Sequence, residues 1–347
     1  MKTVVLTGIR ESELRDAPPP TIRRDDEVLI DIAVVGVCGS DVHYFSEGGI
    51  GSMRVAYPWT IGHECAGTVV EVGPAVTSLT PGDRVAVDPL IWCGQCDQCL
   101  AGRVNTCRNQ RFLGNPGETP GAMAEQLIMP AASCCPIPDS VSFVAAALCE
   151  PLAIGEHARR LAKLSPDATV AILGAGPIGL CVLLALKAAG VGATYVTDLL
   201  DPRLDMARQL GADWTGSPRQ EDVVAAISRQ QPSGVAAVFE CAGQQETIDQ
   251  GIELLTPGGA LMLIGIPEAK EIRINFDIAR RREHVVQMVR RQNHTADVAV
   301  EMVAGGVDAV QLATHHYSIE QAQQAFETVQ QYADGVIKAI IHISGDE

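Results

Sequence analysis

The chain has little positive charge: 26 lysines and arginines stand against 42 acidic residues, a formal net charge of −16. That balance excludes a broad nucleic-acid or anionic-membrane surface, which needs a large basic field. Three arginines near a cysteine cluster, Arg103, Arg108 and Arg111, are too few to make a basic face there. An anionic cofactor is still allowed, because a few oriented backbone amides can hold it locally. The start, MKTVVLTGIRESELR, reaches charged residues too early to contain the apolar centre of a secretory signal, so a cytoplasmic location is expected. A long apolar membrane run is also lacking. Val170 to Leu186 carries no charge, but Gly174, Gly176, Pro177 and Gly179 break it, and it reads as a buried strand, a glycine turn and a helix. Aromatic residues are scarce at 4%, while 33 glycines suit an α/β fold with many tight turns.

At 347 residues the chain exceeds what one hydrophobic core supports, so two domains are expected. Before Pro151, short β-branched runs broken by Gly and Pro (Glu27 to Val35, Thr68 to Val72, Arg84 to Val87) read as antiparallel strands of a barrel-like domain. Beyond it, apolar runs at Thr169 to Leu173, Ala193 to Thr197, Ala236 to Cys241 and Ala260 to Ile264 alternate with helical stretches. This is βαβ texture, expected of a doubly wound parallel sheet. Helices are expected over Ala296 to Ala304 and Ser318 to Tyr332. A final strand, Val336 to Ile343, needs a sheet to join, and the first domain is the natural one. No internal repeat is evident.

Eleven cysteines are an odd count that cannot be fully paired within one molecule, and in a reducing compartment clustered cysteines more often bind metal. Cys93, Cys96, Cys99 and Cys107 read C-x2-C-x2-C-x7-C, with Gly94 and Gly102 for tight turns. Four thiolates suit a closed, structural zinc site. Scattered thiols and an iron–sulfur cluster are the other readings, the latter lacking the C-x3-C-P ending of bacterial ferredoxins. Cys38 sits in VGVCGSDVH, and His63 and Glu64 in IGHECAG. Glu150 lies in the apolar AALCEPLAIG, where an unpaired carboxylate is costly to bury and a cation would relieve the cost. Thiolate, imidazole and carboxylate with one open position describe a catalytic zinc site.

VAILGAGPIGL places Gly174, Gly176, Pro177, Ile178 and Gly179 after a strand and at the opening of a helix. Asp198 closes the next apolar run. The glycines let backbone approach a pyrophosphate at a helix N-terminus, and the acid suits ribose hydroxyls, favouring NAD over NADP. Arg203 is near enough in sequence to bear on that choice.

Taken in order, CGSDVH, GHECAG, the four-cysteine lobe, EPLAIGEHA, GAGPIG and TDLLDPRL resemble the zinc-containing medium-chain alcohol dehydrogenases over nearly the whole chain. The closest likeness is to the sorbitol (polyol) dehydrogenase branch, since Glu150 stands where the classical alcohol enzymes carry a third zinc-binding cysteine. The resemblance implies a partly open β-barrel (GroES-like) catalytic domain over 1–152 and 289–347, and a Rossmann domain over 153–288. It implies an enzyme that passes hydride from a secondary alcohol of a polyol or sugar to NAD. Cys38, His63 and Glu64 would bind the catalytic zinc, with Glu150 binding it or its water. Ser40 and His43 would relay the substrate proton, and Tyr44 and Arg290 would line the substrate pocket. A homo-oligomer is implied, a tetramer before a dimer. Where sorbitol dehydrogenases typically read Phe-Arg-Tyr, this chain has Val289, Arg290 and Arg291. Sugar-acid (aldonate) or L-threonine oxidation on the same machinery therefore stands as the alternative, and a non-catalytic binding protein of the same fold as another.

Overall fold

The computed structural model describes residues 1–267 and 269–344; residue 268 and residues 345–347 lie outside the described residues. The chain forms two compact units, one from Met1–Glu150 with the chain from Ala296 onward, the other Pro151–Thr295. No helix among the described residues is long and apolar enough to cross a membrane.

The first unit is built around strand Glu27–Gly36, whose sequence EVLIDIAVVG alternates buried and open positions in its first half and is buried throughout its second. That switch follows from its partners. Strand Glu64–Val72 runs antiparallel along nearly its whole length. The opposite edge is shared, with Gln126–Pro130 pairing with its early residues and Lys338–His342 with its end. Register shifts between Leu29 and Ile30 and between Ile32 and Val34 let the strand bend from one partner to the next. The sheet continues through Arg84–Val87 to Cys134–Pro136 on one side and Ala313–Ser318 on the other. The closing strand thus lies in the sheet of the first unit. The expected helix over Ser318 to Tyr332 is a 3-10 turn, Ile319–Gln321, followed by an α-helix, Ala322–Gln331. Tyr332 ends it in the left-handed region. Phe326 of that helix is fully buried and meets the Phe45 ring at 5.2 Å, so sequence from opposite ends of the chain shares one core.

The second unit holds six parallel strands in the order Trp214–Gly216, Thr194–Thr197, Val170–Leu173, Val235–Glu240, Leu255–Leu263, Val285–Met288. Numbered along the chain within this unit, that order is 3-2-1-4-5-6, the doubly wound dinucleotide-binding arrangement. Strands Val170–Leu173 and Thr194–Thr197 are buried at every residue, as central strands covered on both faces must be. The uncharged run from Val170 divides into this strand, a glycine turn and helix Pro177–Ala188. Trp214–Gly216 and Val285–Met288, which carry no clear apolar run, are the two edges.

Because Phe326 anchors the returning segment, Phe326→Ala should destabilise the first unit by about 3–5 kcal/mol, the usual cost of emptying a buried phenylalanine site. Denaturant unfolding read by hydrogen exchange in each unit checks this. Loss of protection at Glu27–Gly36 with Val170–Leu173 unchanged is the expected pattern, and equal loss in both would contradict it.

Candidate active site

The first site lies where strand Glu27–Gly36 ends and helix Gly39–Glu47 begins. Cys38 is the helix N-cap, and Asp41, three residues on, turns its carboxylate back to accept the Cys38 N–H at 3.0 Å. The other Asp41 oxygen accepts the Gly62 N–H at 3.1 Å and lies 3.6 Å from His63 Nδ1. Asp41 is fully buried, so one carboxylate ties the backbone before Cys38 to the loop that carries His63. His63 and Glu64 enter strand Glu64–Val72, and Phe112 covers the imidazole with ring centroids 5.2 Å apart.

Donor atoms of Cys38, His63 and Glu64 all lie within 4.8 Å of one another. Glu64 is 1% exposed, and its two oxygens differ. Oε1 accepts from Lys338 Nζ at 2.7 Å, while Oε2 is buried with no hydrogen-bond partner. Lys338 is itself 2% exposed and also donates to the Val37 carbonyl at 3.1 Å. A Cβ at Gly36 would collide with Glu64 Oε2, so that glycine keeps space for the carboxylate. A buried carboxylate oxygen without a partner is costly, and a thiolate, an imidazole and a carboxylate around one point are a donor set that zinc accepts with a fourth position open. The residues present therefore fit a metal ion. Burial works against protonating His63, but the Asp41 carboxylate and the Cys38 thiolate outweigh it and hold its pKa well above the usual value.

Glu150 lies outside this three-donor group, in the first turn of helix Cys149–Ala162. Burial pushes its pKa up to about 7; Glu64 and Asp88 add to the shift, and His63 and Lys338 oppose it. Ser40, His43 and Tyr44 are on helix Gly39–Glu47. His43 is partly exposed, with Nδ1 2.9 Å from Glu47 Oε1. Tyr44 is buried and donates to Asn115 Oδ1 at 3.1 Å. Arg290 belongs to the second unit, just beyond strand Val285–Met288, and is exposed.

Cys93, Cys96, Cys99 and Cys107 form the second cluster. Sγ separations are 3.6 Å for Cys96–Cys99, 3.9 Å for Cys96–Cys107 and 3.5 Å for Cys93–Cys107. A zinc ion about 2.3 Å from four sulfurs requires edges of about 3.8 Å, so the cluster has the dimensions of a tetrahedral site. Backbone N–H groups of Gln95 and Cys96 lower the Cys93 pKa to about 6, favouring the ligating thiolate.

In the second unit, Gly174 follows strand Val170–Leu173 with φ +99° and Gly176 caps helix Pro177–Ala188, with Pro177 at its first position and Ile178 half-buried in the first turn. A Cβ at Gly179 would strike the Gly174 carbonyl, so both glycines are needed for the turn to fold back on the helix. Asp198 follows Thr194–Thr197. Its oxygens accept from Ala175 N–H at 2.8 Å and Leu200 N–H at 2.9 Å, and Arg203 Nη1 is 3.6 Å from Oδ2.

Asp41, Lys338, Phe112 and Asn115 were not among the residues expected from sequence. Lys338 left a signal, a single lysine within the apolar run VIKAIIHI; Asp41 stands inside CGSDVH, but its long-range role needed the fold.

Comparison with known proteins agrees with this geometry. The sequence profile of the alcohol dehydrogenase GroES-like domain matches residues 24–139, and that of the zinc-binding dehydrogenases matches residues 177–305. The chain is 38% identical to a sorbitol dehydrogenase of Bacillus subtilis, covering 99% of this chain and 97% of the relative. It is 36% identical to an L-idonate 5-dehydrogenase of Vitis vinifera, covering 93% and 90%. A crystal structure from Sinorhizobium meliloti described as a zinc-binding dehydrogenase, with NADP bound, superimposes with TM-score 0.91 at 32% identity and covers 99% of both chains. With the partly open GroES-like unit, the parallel dinucleotide-binding sheet and both donor clusters in place, the chain belongs to the zinc-containing medium-chain alcohol dehydrogenases.

Proposed function

We propose that the protein oxidises a secondary alcohol of a polyol or sugar, using zinc and NAD. The observation that carries this reading is the meeting of Cys38, His63 and Glu64 donors within 4.8 Å of one another, in a place where one Glu64 oxygen is buried without a hydrogen-bond partner. Cys38, His63 and Glu64 would hold the catalytic ion, and the four cysteines from Cys93 to Cys107 a structural one. When bound, the zinc supplies Lewis acidity that brings a hydroxyl pKa towards neutrality, and the dinucleotide supplies the hydride acceptor.

The chain's own residues handle the proton and the orientation. Asp41 fixes the His63 ring and the backbone entering Cys38, so the donors stay in register. Glu150, poised near neutrality by burial, would hold a water or the substrate hydroxyl by hydrogen bonding. Ser40 would take the substrate's hydroxyl proton on Oγ and pass it towards His43, whose ring is partly exposed and can release it to water. The carbinol carbon loses hydride as the proton leaves its oxygen, yielding the ketone, reduced dinucleotide and one proton. Tyr44 and Arg290 would contact the remaining hydroxyls.

For the cofactor, Gly174, Gly176, Pro177, Ile178 and Gly179 would receive the pyrophosphate and Asp198 the adenosine ribose. A carboxylate there repels a 2′-phosphate, while Arg203 nearby tempers the repulsion. Oxidation of a sugar acid is the second reading, supported by the likeness to the L-idonate 5-dehydrogenase and by adjacent Arg290 and Arg291, whose guanidinium groups suit a carboxylate. A cytoplasmic setting suits eleven free cysteines. Assembly into a homo-oligomer is supported by the edge strand Val285–Met288, where Val285 is 53% and Met288 58% exposed and where a second copy could pair; a tetramer follows the branch.

Cys38→Ala and His63→Ala should each lower turnover about a thousandfold or more, reflecting the several kcal/mol a Lewis acid supplies. Titration with NAD should give an unchanged dissociation constant, and a variant that retains turnover would contradict the reading. Asp198→Ala should weaken NAD use about tenfold and bring NADP close to parity. The ratio of kcat/KM values measures this, and a ratio unmoved from the parent's would count against Asp198 as the discriminating residue. Rates with polyols, aldonates and threonine separate the substrate readings.

A further inference from the structure

Glu240 ends strand Val235–Glu240 and is 1% exposed, yet the chemistry above does not use it. Its Oε1 accepts three hydrogen bonds: from the N–H of Ala242 at 2.9 Å, the N–H of Gly243 at 2.7 Å and the Thr247 hydroxyl at 2.8 Å. Its backbone carbonyl accepts from Ile264 and Gly265 N–H at 2.9 and 3.0 Å. The turn so held is wedged between two neighbours. A Cβ at Gly174 would come 2.8 Å from Ala242 N, and one at Gly243 would come 2.7 Å from the Ile266 carbonyl oxygen. Cys241 N–H also bonds the Leu173 carbonyl at 2.8 Å. The carboxyl ends of three adjacent strands are thus joined through backbone hydrogen bonds, and the Glu240 carboxylate is the hub of the turn that leaves the middle one.

The position in the sheet gives this hub a meaning. Strands Val170–Leu173 and Val235–Glu240 are neighbours at the point where the strand order reverses, and ligands of such sheets bind in the crevice outside the carboxyl ends there. Asp198 follows Thr194–Thr197, on the side of Val170–Leu173 away from Glu240. A dinucleotide with its adenosine ribose at Asp198 and its pyrophosphate at the glycine turn therefore extends its other half over the Glu240 turn. We propose that Glu240 is a positioning residue for the nicotinamide half of the dinucleotide, setting the Cys241–Gln244 turn before the ligand arrives; this rests on the NAD reading above. A surface already set in its bound form loses less entropy when ligand binds, and removing its hub returns that cost at binding.

The test compares NAD with AMP, which occupies only the adenosine side, by calorimetry on the full zinc-loaded chain. Glu240→Ala should weaken NAD about tenfold or more and leave AMP within about twofold, with Glu240→Gln, which keeps an accepting oxygen, recovering most of the affinity. Thr247→Val removes one donor from the same oxygen without changing charge and should weaken NAD about threefold with AMP unmoved, so the split is read even where Glu240→Ala does not fold. Equal weakening of NAD and AMP, or unchanged NAD affinity in folded Glu240→Ala and Thr247→Val, would overturn the role of Glu240 alone. Parent protein that binds AMP but not NAD would overturn the dinucleotide reading and this inference with it.

Discussion

Negative groups crowded into a dry place govern the first unit. Asp41, Glu64 and Glu150 are each no more than 6% exposed, and the half-buried Cys38 thiol lies within 4.8 Å of a Glu64 oxygen. Taking charges of one sign out of water is unfavourable unless cations or directed N–H groups answer them. Asp41 is answered by two backbone N–H groups and the His63 ring, and one Glu64 oxygen by Lys338. The second Glu64 oxygen is buried with no hydrogen-bond partner. Strand bends, an N-cap and a returning C-terminal strand all serve that arrangement.

The second unit solves the opposite problem, receiving an anion on a chain with net charge −16. It does so with backbone instead of basic side chains. The glycine turn exposes N–H groups at the start of helix Pro177–Ala188, whose dipole favours anions, and no basic field is needed. Two carboxylates at the strand ends organise backbone: Asp198 accepts from the N–H groups of Ala175 and Leu200, and Glu240 from those of Ala242 and Gly243.

Local patterns were legible in the sequence because their physics is local. The strand, glycine turn and helix at Val170–Ala188 depend on residues within twenty positions of one another, and the spacing of Cys93 to Cys107 speaks for itself. Partnerships across the fold were not legible. Lys338 meets Glu64 across 274 positions, and Asp41 reaches Gly62 only because two loops converge. Cys38, His63 and Glu64 are visible in their motifs, but nothing in those motifs says that Lys338 takes one Glu64 oxygen and leaves the other without a partner. The edge strands Trp214–Gly216 and Val285–Met288 are not legible in the sequence, because edges are not buried on both sides and lack the long apolar runs that mark a central strand. The sequence from Ser318 to Tyr332 predicts one helix, whereas its first turn is 3-10, closed by a capping box between Ser318 and Gln321.

A metal ion held by Cys38, His63 and Glu64 is the centre of the proposed chemistry. Crystals of the protein as purified, with diffraction measured on both sides of the zinc absorption edge, test that directly. Two anomalous peaks per chain that vanish below the edge are expected, one among the four cysteines and one touching Cys38 Sγ, a His63 ring nitrogen and a Glu64 carboxylate oxygen. A peak among the four cysteines alone, from protein that oxidises an alcohol at full rate, would contradict it.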